Sequence, residues 1–90
     1  MGRILMTTSW EMSKIARESF IKQMQKEVFT EADTIGCVDL IKVVGPEDDE
    51  MAHSMEKALW QRVLKELAKD NAMAETALHT LDVDFSRWFA

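Results

Sequence analysis

From Met12 onward apolar residues return at every fourth position, Met12, Ala16, Phe20, Met24 and Val28, and an α-helix, unlike a strand, sets them apart from the polar residues midway between them. Ile15 and Ile21 join them, while Lys14, Glu18, Lys22 and Gln25 fall elsewhere. Trp10 and Ile21 widen the apolar arc enough for the helix to touch two neighbours. Thr8-Ser9-Trp10-Glu11 fits the capping box, whose hydroxyl and carboxylate satisfy amide groups that a helix start leaves unbonded. The spacing therefore predicts a first helix over 8–28, supported by Glu18 and Lys22 one turn apart.

A second start of the same kind, Thr30-Glu31-Ala32-Asp33, precedes TIGCVDLIKVV at 34–44. The β-branched residues suit a strand, but strict alternation fails at Leu40-Ile41 and at Val43-Val44. On a helix, Cys37, Val38, Leu40, Ile41 and Val44 share one face, with Asp39 and Lys42 opposite. A helix is the expectation, with Ile35 and Val43 off its stripe and Gly36 weakening it by about 1 kcal/mol relative to alanine.

Gly45-Pro46 punctuates the chain, with glycine past one helix end and proline expected at the first position of the next. Glu47, Asp48, Asp49 and Glu50 follow, where the helix dipole favours negative charge. That helix is expected to run to about Asp70, with Ala52, Met55, Leu59, Val63 and Leu67 on its inner stripe and Trp60 and Leu64 on its flank. Asp70-Asn71 breaks or caps it, and 72–81 reads as a short helix burying Met73, Ala74, Ala77, Leu78 and Leu81. Asp82 or Asp84 can cap one last turn over 85–89. The expected fold is all-α, a small helical bundle of three main helices plus a short C-terminal helix and a terminal aromatic turn. It forms a single domain over 1–90, with 1–7 a flexible N-terminus and 82–90 an aromatic arm.

A chain of 90 residues buries only about 60–65% of the surface it exposes when unfolded, so its core needs a supplement. Cys37 is the sole cysteine, which excludes an intrachain disulfide and fits a reducing cytoplasm. Self-association, as a homodimer or higher oligomer, is then the expected supplement. The apolar run Ile4-Leu5-Met6 is far shorter than a signal-peptide core, and no stretch approaches the ~20 apolar residues that span a bilayer. A cytoplasmic protein without a membrane partner is the expectation.

Residues that could carry chemistry are few. Glu50-Met51-Ala52-His53 has the Glu-x-x-His step of carboxylate di-iron bundles, with Glu56 a turn further on, but such a centre needs the motif from two helices. Glu50, His53 and Glu56 are thus weak metal candidates, and no cofactor is expected. Cys37 falls on an apolar stripe, where burial raises a thiol's pKa and silences it, and His79 falls late in a short helix, where the dipole favours a cation. The glycines, at 2, 36 and 45, form no phosphate-binding loop, and an enzyme is not expected.

Charge bears on partners. Residues 1–27 hold five bases against three acids, whereas the remainder holds six against thirteen, so the bulk of the chain repels phosphate. Two short helices around Val28 to Val44 could make a helix-turn-helix, with Lys14, Arg17, Lys22 and Lys26 on phosphates and Lys42 on the recognition helix. Asp33 and Asp39 on that helix disfavour nucleic acid.

The segment DVDFSRWFA at 82–90 gathers residue types enriched at binding hot spots. It either closes the chain's own core or docks on a partner, with Trp60 as the receiving site. The expected interaction surface is Trp60, Val83, Phe85, Arg87, Trp88 and Phe89. The expected function is that of a small acidic, non-catalytic protein–protein interaction module acting as an oligomer, of the type found among bacterial and phage accessory, regulatory and inhibitor proteins. A helix-turn-helix-like nucleic-acid-binding regulator is the second reading, and a dimeric metal-carboxylate bundle the third.

Overall fold

Phe20, Cys37, Val44, Met55 and Leu59, drawn from three helices, meet in one buried cluster in a computed structural model that describes residues 9–83. The helices are α1 (Ser9–Met24), α2 (Glu31–Val44), α3 (Asp49–Leu67) and α4 (Ala72–Leu78), and a 3-10 turn, His79–Asp82, follows. No strand occurs among the described residues, so 34–44 is helical as its periodicity predicts. The expected flexible N-terminus, the Thr8 cap and positions 84–90 of the aromatic arm lie outside the described residues.

The first helix is shorter than its spacing predicts. Its end tightens through Gln25 N to Lys22 O and Lys26 N to Gln23 O, both 3.2 Å. Once the chain leaves the helix, the four-residue interval no longer sets direction. Val28 is accordingly exposed, and Phe29 takes the inward place at 5% exposure. Within α1 the buried row is Ser13, Ala16 and Phe20, with Met24 packed against the cluster, whereas Met12, Ile15 and Ile21 of the expected stripe are exposed.

Helix α2 opens with the full capping box: Thr30 Oγ1 accepts from Asp33 N at 3.1 Å and Asp33 Oδ2 accepts from Thr30 N at 2.9 Å. Lys26 Nζ lies 2.6 Å from Asp33 Oδ1, and this ammonium, aided by the Thr30 amide, holds the Asp33 carboxyl at about 2. Both α1 and α3 pack on α2, so its covered arc is turned toward Val43, which packs on the cluster, while Val38 is exposed. Gly36 lies on the open side, and a Cβ there would meet nothing within 4 Å. Replacing Gly36 with alanine is therefore expected to raise stability by about 1 kcal/mol, read as a higher urea midpoint at unchanged slope. A lowered midpoint would mean that something covers this face.

Glycine has a use at the next boundary. Gly45 is right-handed helical (φ −49°, ψ −51°) directly before Pro46, a conformation in which a Cβ crowds the proline ring. Its N–H donates to Ile41 O at 2.9 Å, and Asp48 N donates to Val44 O at 2.9 Å. Pro46 is not the first residue of α3, contrary to expectation: Asp48 caps the helix by accepting from Met51 N at 2.9 Å, so only Asp49 and Glu50 of the four carboxylates lie in the first turn. The helix ends at Leu67, which is exposed at the terminus of its stripe.

Asn71 caps α4 by accepting from Met73 N at 3.0 Å and Ala74 N at 3.1 Å. Among the described residues α4 packs on α3 and the 3-10 turn, not on α1 or α2. A single large neighbour covers one edge, so Ala74 is buried and Leu78 half-buried, while Met73, Ala77 and Leu81, expected inside, are exposed. The smallest extent of the Cα trace is 15 Å. That is the thickness of two helix layers, about 10 Å between axes plus about 2.3 Å on either side.

Candidate functional site

Helical spacing puts Lys14, Arg17 and Ile21 on one side of α1, beside Trp10. Facing them across a gap are Met51 and Met55, on the first two turns of α3. The result is an open groove of about 260 Å³ whose floor is Phe20, Met51 and Met55 and whose wall is Lys14, Arg17, Glu18 and Ile21. This is less than the roughly 300–1,000 Å³ of small-molecule sites, and suits an inserted side chain better than a metabolite.

The groove is apolar at its base and charged at its rim. Trp10 is 63% exposed and Ile21 56%, and Lys14 Nζ sits 5.7 Å from the Trp10 ring centroid, within cation–π range. Arg17 Nε is buried without a hydrogen-bond partner among the described residues. A buried N–H without an acceptor is unfavourable, so an acceptor entering the groove beside Arg17 would relieve it. Chemically the site can hold an aromatic or aliphatic side chain accompanied by a carboxylate, with Glu18 available to a cation.

Of the bases expected to serve nucleic acid, Lys14 and Arg17 line this groove. Lys22 is exposed on α1, Lys26 is engaged by Asp33, and Lys42 Nζ lies 3.7 Å from Asp39 Oδ1 on the open side of α2. The expected pair of short helices around Val28 to Val44 is one helix, α2, preceded by an irregular connection over 25–30. Its outward residues are Ile35, Val38, Asp39 and Lys42, a surface with little to offer phosphate.

That connection is clamped by residues whose role the sequence does not announce. Glu66 Oε1 accepts from Phe29 N at 3.0 Å and from Arg62 Nη1 at 3.0 Å, and Lys69 Nζ donates to Glu66 Oε2 at 3.0 Å. Arg62 Nη2 donates to Lys26 O at 2.8 Å, and its guanidinium stands 5.0 Å from the Phe29 ring centroid. Lys69 beside Glu66, together with the Phe29 amide, holds this carboxyl below the usual carboxylate range. In the sequence Arg62, Glu66 and Lys69 show only i,i+3 and i,i+4 spacing along one helix, which gives no sign of a target at Phe29.

The remaining expected residues scatter. Trp60 is 59% exposed on α3, but lies about 140–180° around the helix from Met55 and Met51, so it does not join the groove. Val83 is exposed beyond the 3-10 turn, and Phe85, Arg87, Trp88 and Phe89 lie outside the described residues. His53 Nδ1 is 3.3 Å from Glu56 Oε1, with Glu50 exposed nearby in the first turn of α3. Among the described residues no three His, Cys, Asp or Glu side chains gather closely enough to hold a metal ion. Cys37 is fully buried, which pushes its thiol pKa up, with the Asp33 carboxylate adding to the shift.

No described helix is long and apolar enough to cross a membrane. Compared with family models, curated proteins and solved structures, the chain matches none.

Proposed function

We propose that this chain is a small non-catalytic protein–protein interaction module that acts as an oligomer. The observation that carries this reading is the one-sided covering of its helices. Trp10, Ile15, Ile21, Ile35 and Trp60 are each more than half exposed, on elements that together form only two layers. Soluble domains leave single apolar residues at the surface routinely, but a groove of apolar floor and charged rim beside an exposed tryptophan is the usual composition of a binding surface. The buried, silenced Cys37 favours binding over nucleophilic catalysis.

The test is the solution mass of the full chain, by sedimentation velocity from micromolar to sub-millimolar concentration. The expected result is a mass that climbs above 10.4 kDa as concentration rises. A mass constant at 10.4 kDa across the range would remove self-association from the reading.

A further inference from the structure

We propose that the α1/α3 groove is the receptor for the C-terminal segment, residues 84–90, of a second copy of this chain, so that two copies exchange tails. The inference rests on the oligomeric reading above and names its surface.

Three observations point to this occupant. The first is chemical fit: the segment DFSRWFA carries Phe85, Trp88 and Phe89 at i, i+3 and i+4, the spacing by which a peptide bound as a helical turn would present three aromatic rings to one groove. Trp88 suits the floor of Phe20, Met51 and Met55, where thioethers make favourable contacts with rings, and the exposed Ile21 of the wall offers apolar surface to the phenylalanines beside it.

The second is charge. The groove wall presents Lys14 and Arg17 followed by Glu18, and the segment presents Asp84 followed by Arg87. Asp84 complements Lys14 and Arg17, Arg87 complements Glu18, and a carboxylate from Asp84 supplies the acceptor that the buried Arg17 Nε lacks among the described residues.

The third concerns place and area. The described chain ends at Val83, beyond a 3-10 turn that touches α4 but not α1 or α2. The last described turn thus lies against α4, which itself packs on α3 and not on α1, the helix that supplies the groove wall, so the groove of a neighbouring copy is the one we assign to the seven residues that follow. Three aromatic side chains bury about 150–250 Å² each, so two exchanged tails and the grooves they cover reach the roughly 1,200–2,000 Å² of a stable interface.

The experiment compares dimerisation of the full-length chain with that of three full-length variants by sedimentation velocity, with circular dichroism confirming that each is helical. Ile21→Glu places a charge on the exposed groove wall without touching the core, Trp88→Ala removes the anchor, and Trp60→Ala alters the opposite flank of α3. Expected are dimerisation weakened by about tenfold or more in each of the first two and unchanged in the third. A mixture of Ile21→Glu with Trp88→Ala regains affinity, because the heterodimer has one sound groove facing one sound tail. A wild-type dimer indifferent to Ile21→Glu and Trp88→Ala, or broken by Trp60→Ala alone, overturns the groove assignment and leaves the oligomeric reading standing. A wild-type chain that stays monomeric overturns both, and failure of the mixture to regain affinity overturns the exchange.

Discussion

Replacing Phe29 with alanine is expected to lower the unfolding free energy by about 3–5 kcal/mol, the range found when a buried aromatic side chain is truncated. Phe29 is 5% exposed although it belongs to no helix, and its ring belongs to the cluster that joins α1, α2 and α3. Its backbone amide is fixed by Glu66 at 3.0 Å, and the Arg62 guanidinium lies against its ring. The surroundings therefore have little freedom to collapse into the space, and a residual cavity adds to the lost transfer free energy. Small domains have total stabilities of about 5–15 kcal/mol, so the loss is a large fraction, corresponding to a fall in melting temperature of more than about 10 °C. The neighbouring Val28→Ala is the control: Val28 is 59% exposed, and its truncation should change stability by less than about 0.5 kcal/mol. Equal effects at the two positions, in urea or thermal unfolding followed by circular dichroism, would refute the clamped connection.

A second adjacent pair separates core from flank on α3. Leu59 is 4% exposed in the cluster, and Leu59→Ala is expected to cost about 2–5 kcal/mol. Trp60, one residue on, loses far less on truncation despite its greater size, because most of its surface is in water in both folded and unfolded chains. The comparison is made by urea unfolding at a concentration low enough to hold the chain monomeric. If Trp60→Ala destabilised the monomer as much as Leu59→Ala does, α3 would bury its flank, and the open face on which the interaction reading rests would not exist.

Much of the architecture was legible in local chemistry. The Thr30-to-Asp33 box marks the start of α2 and closes with both reciprocal hydrogen bonds, and Asn71 caps α4 at the expected break. The inner stripe of α3 is buried at Ala52, Met55 and Leu59, as its spacing predicts. The boundary at Gly45-Pro46 is real, but the helix start moves to Asp49, because Asp48 offers a side-chain acceptor that proline cannot.

The candidate site was legible only in pieces. Lys14 and Arg17 are bases that sequence reading attaches to phosphate, yet they stand on the wall of an apolar groove. Met55 reads as core, and together with Met51 it also forms that groove's floor. What joins them is the separation of α1 and α3, a distance between elements that no residue pattern within either helix encodes. The clamp of Arg62, Glu66 and Lys69 was missed for the same reason, since its target at Phe29 lies 37 residues from Glu66.

The sequence by itself determined that the described chain is helical, where α2 and α4 start, and which side of each helix is apolar. Those properties arise from the 3.6-residue repeat and from hydrogen bonds spanning three or four residues, so they can be read within a single turn. Only the tertiary structure decided which apolar residues are covered: Met12, Ile15, Ile21, Val38 and Leu67 stay open, while Phe29 and Ser13 go in. Burial depends on how many neighbours a helix meets and at what angle. Two helix layers can cover only one side of each amphipathic arc, and the side left open in this chain is the surface available to a partner.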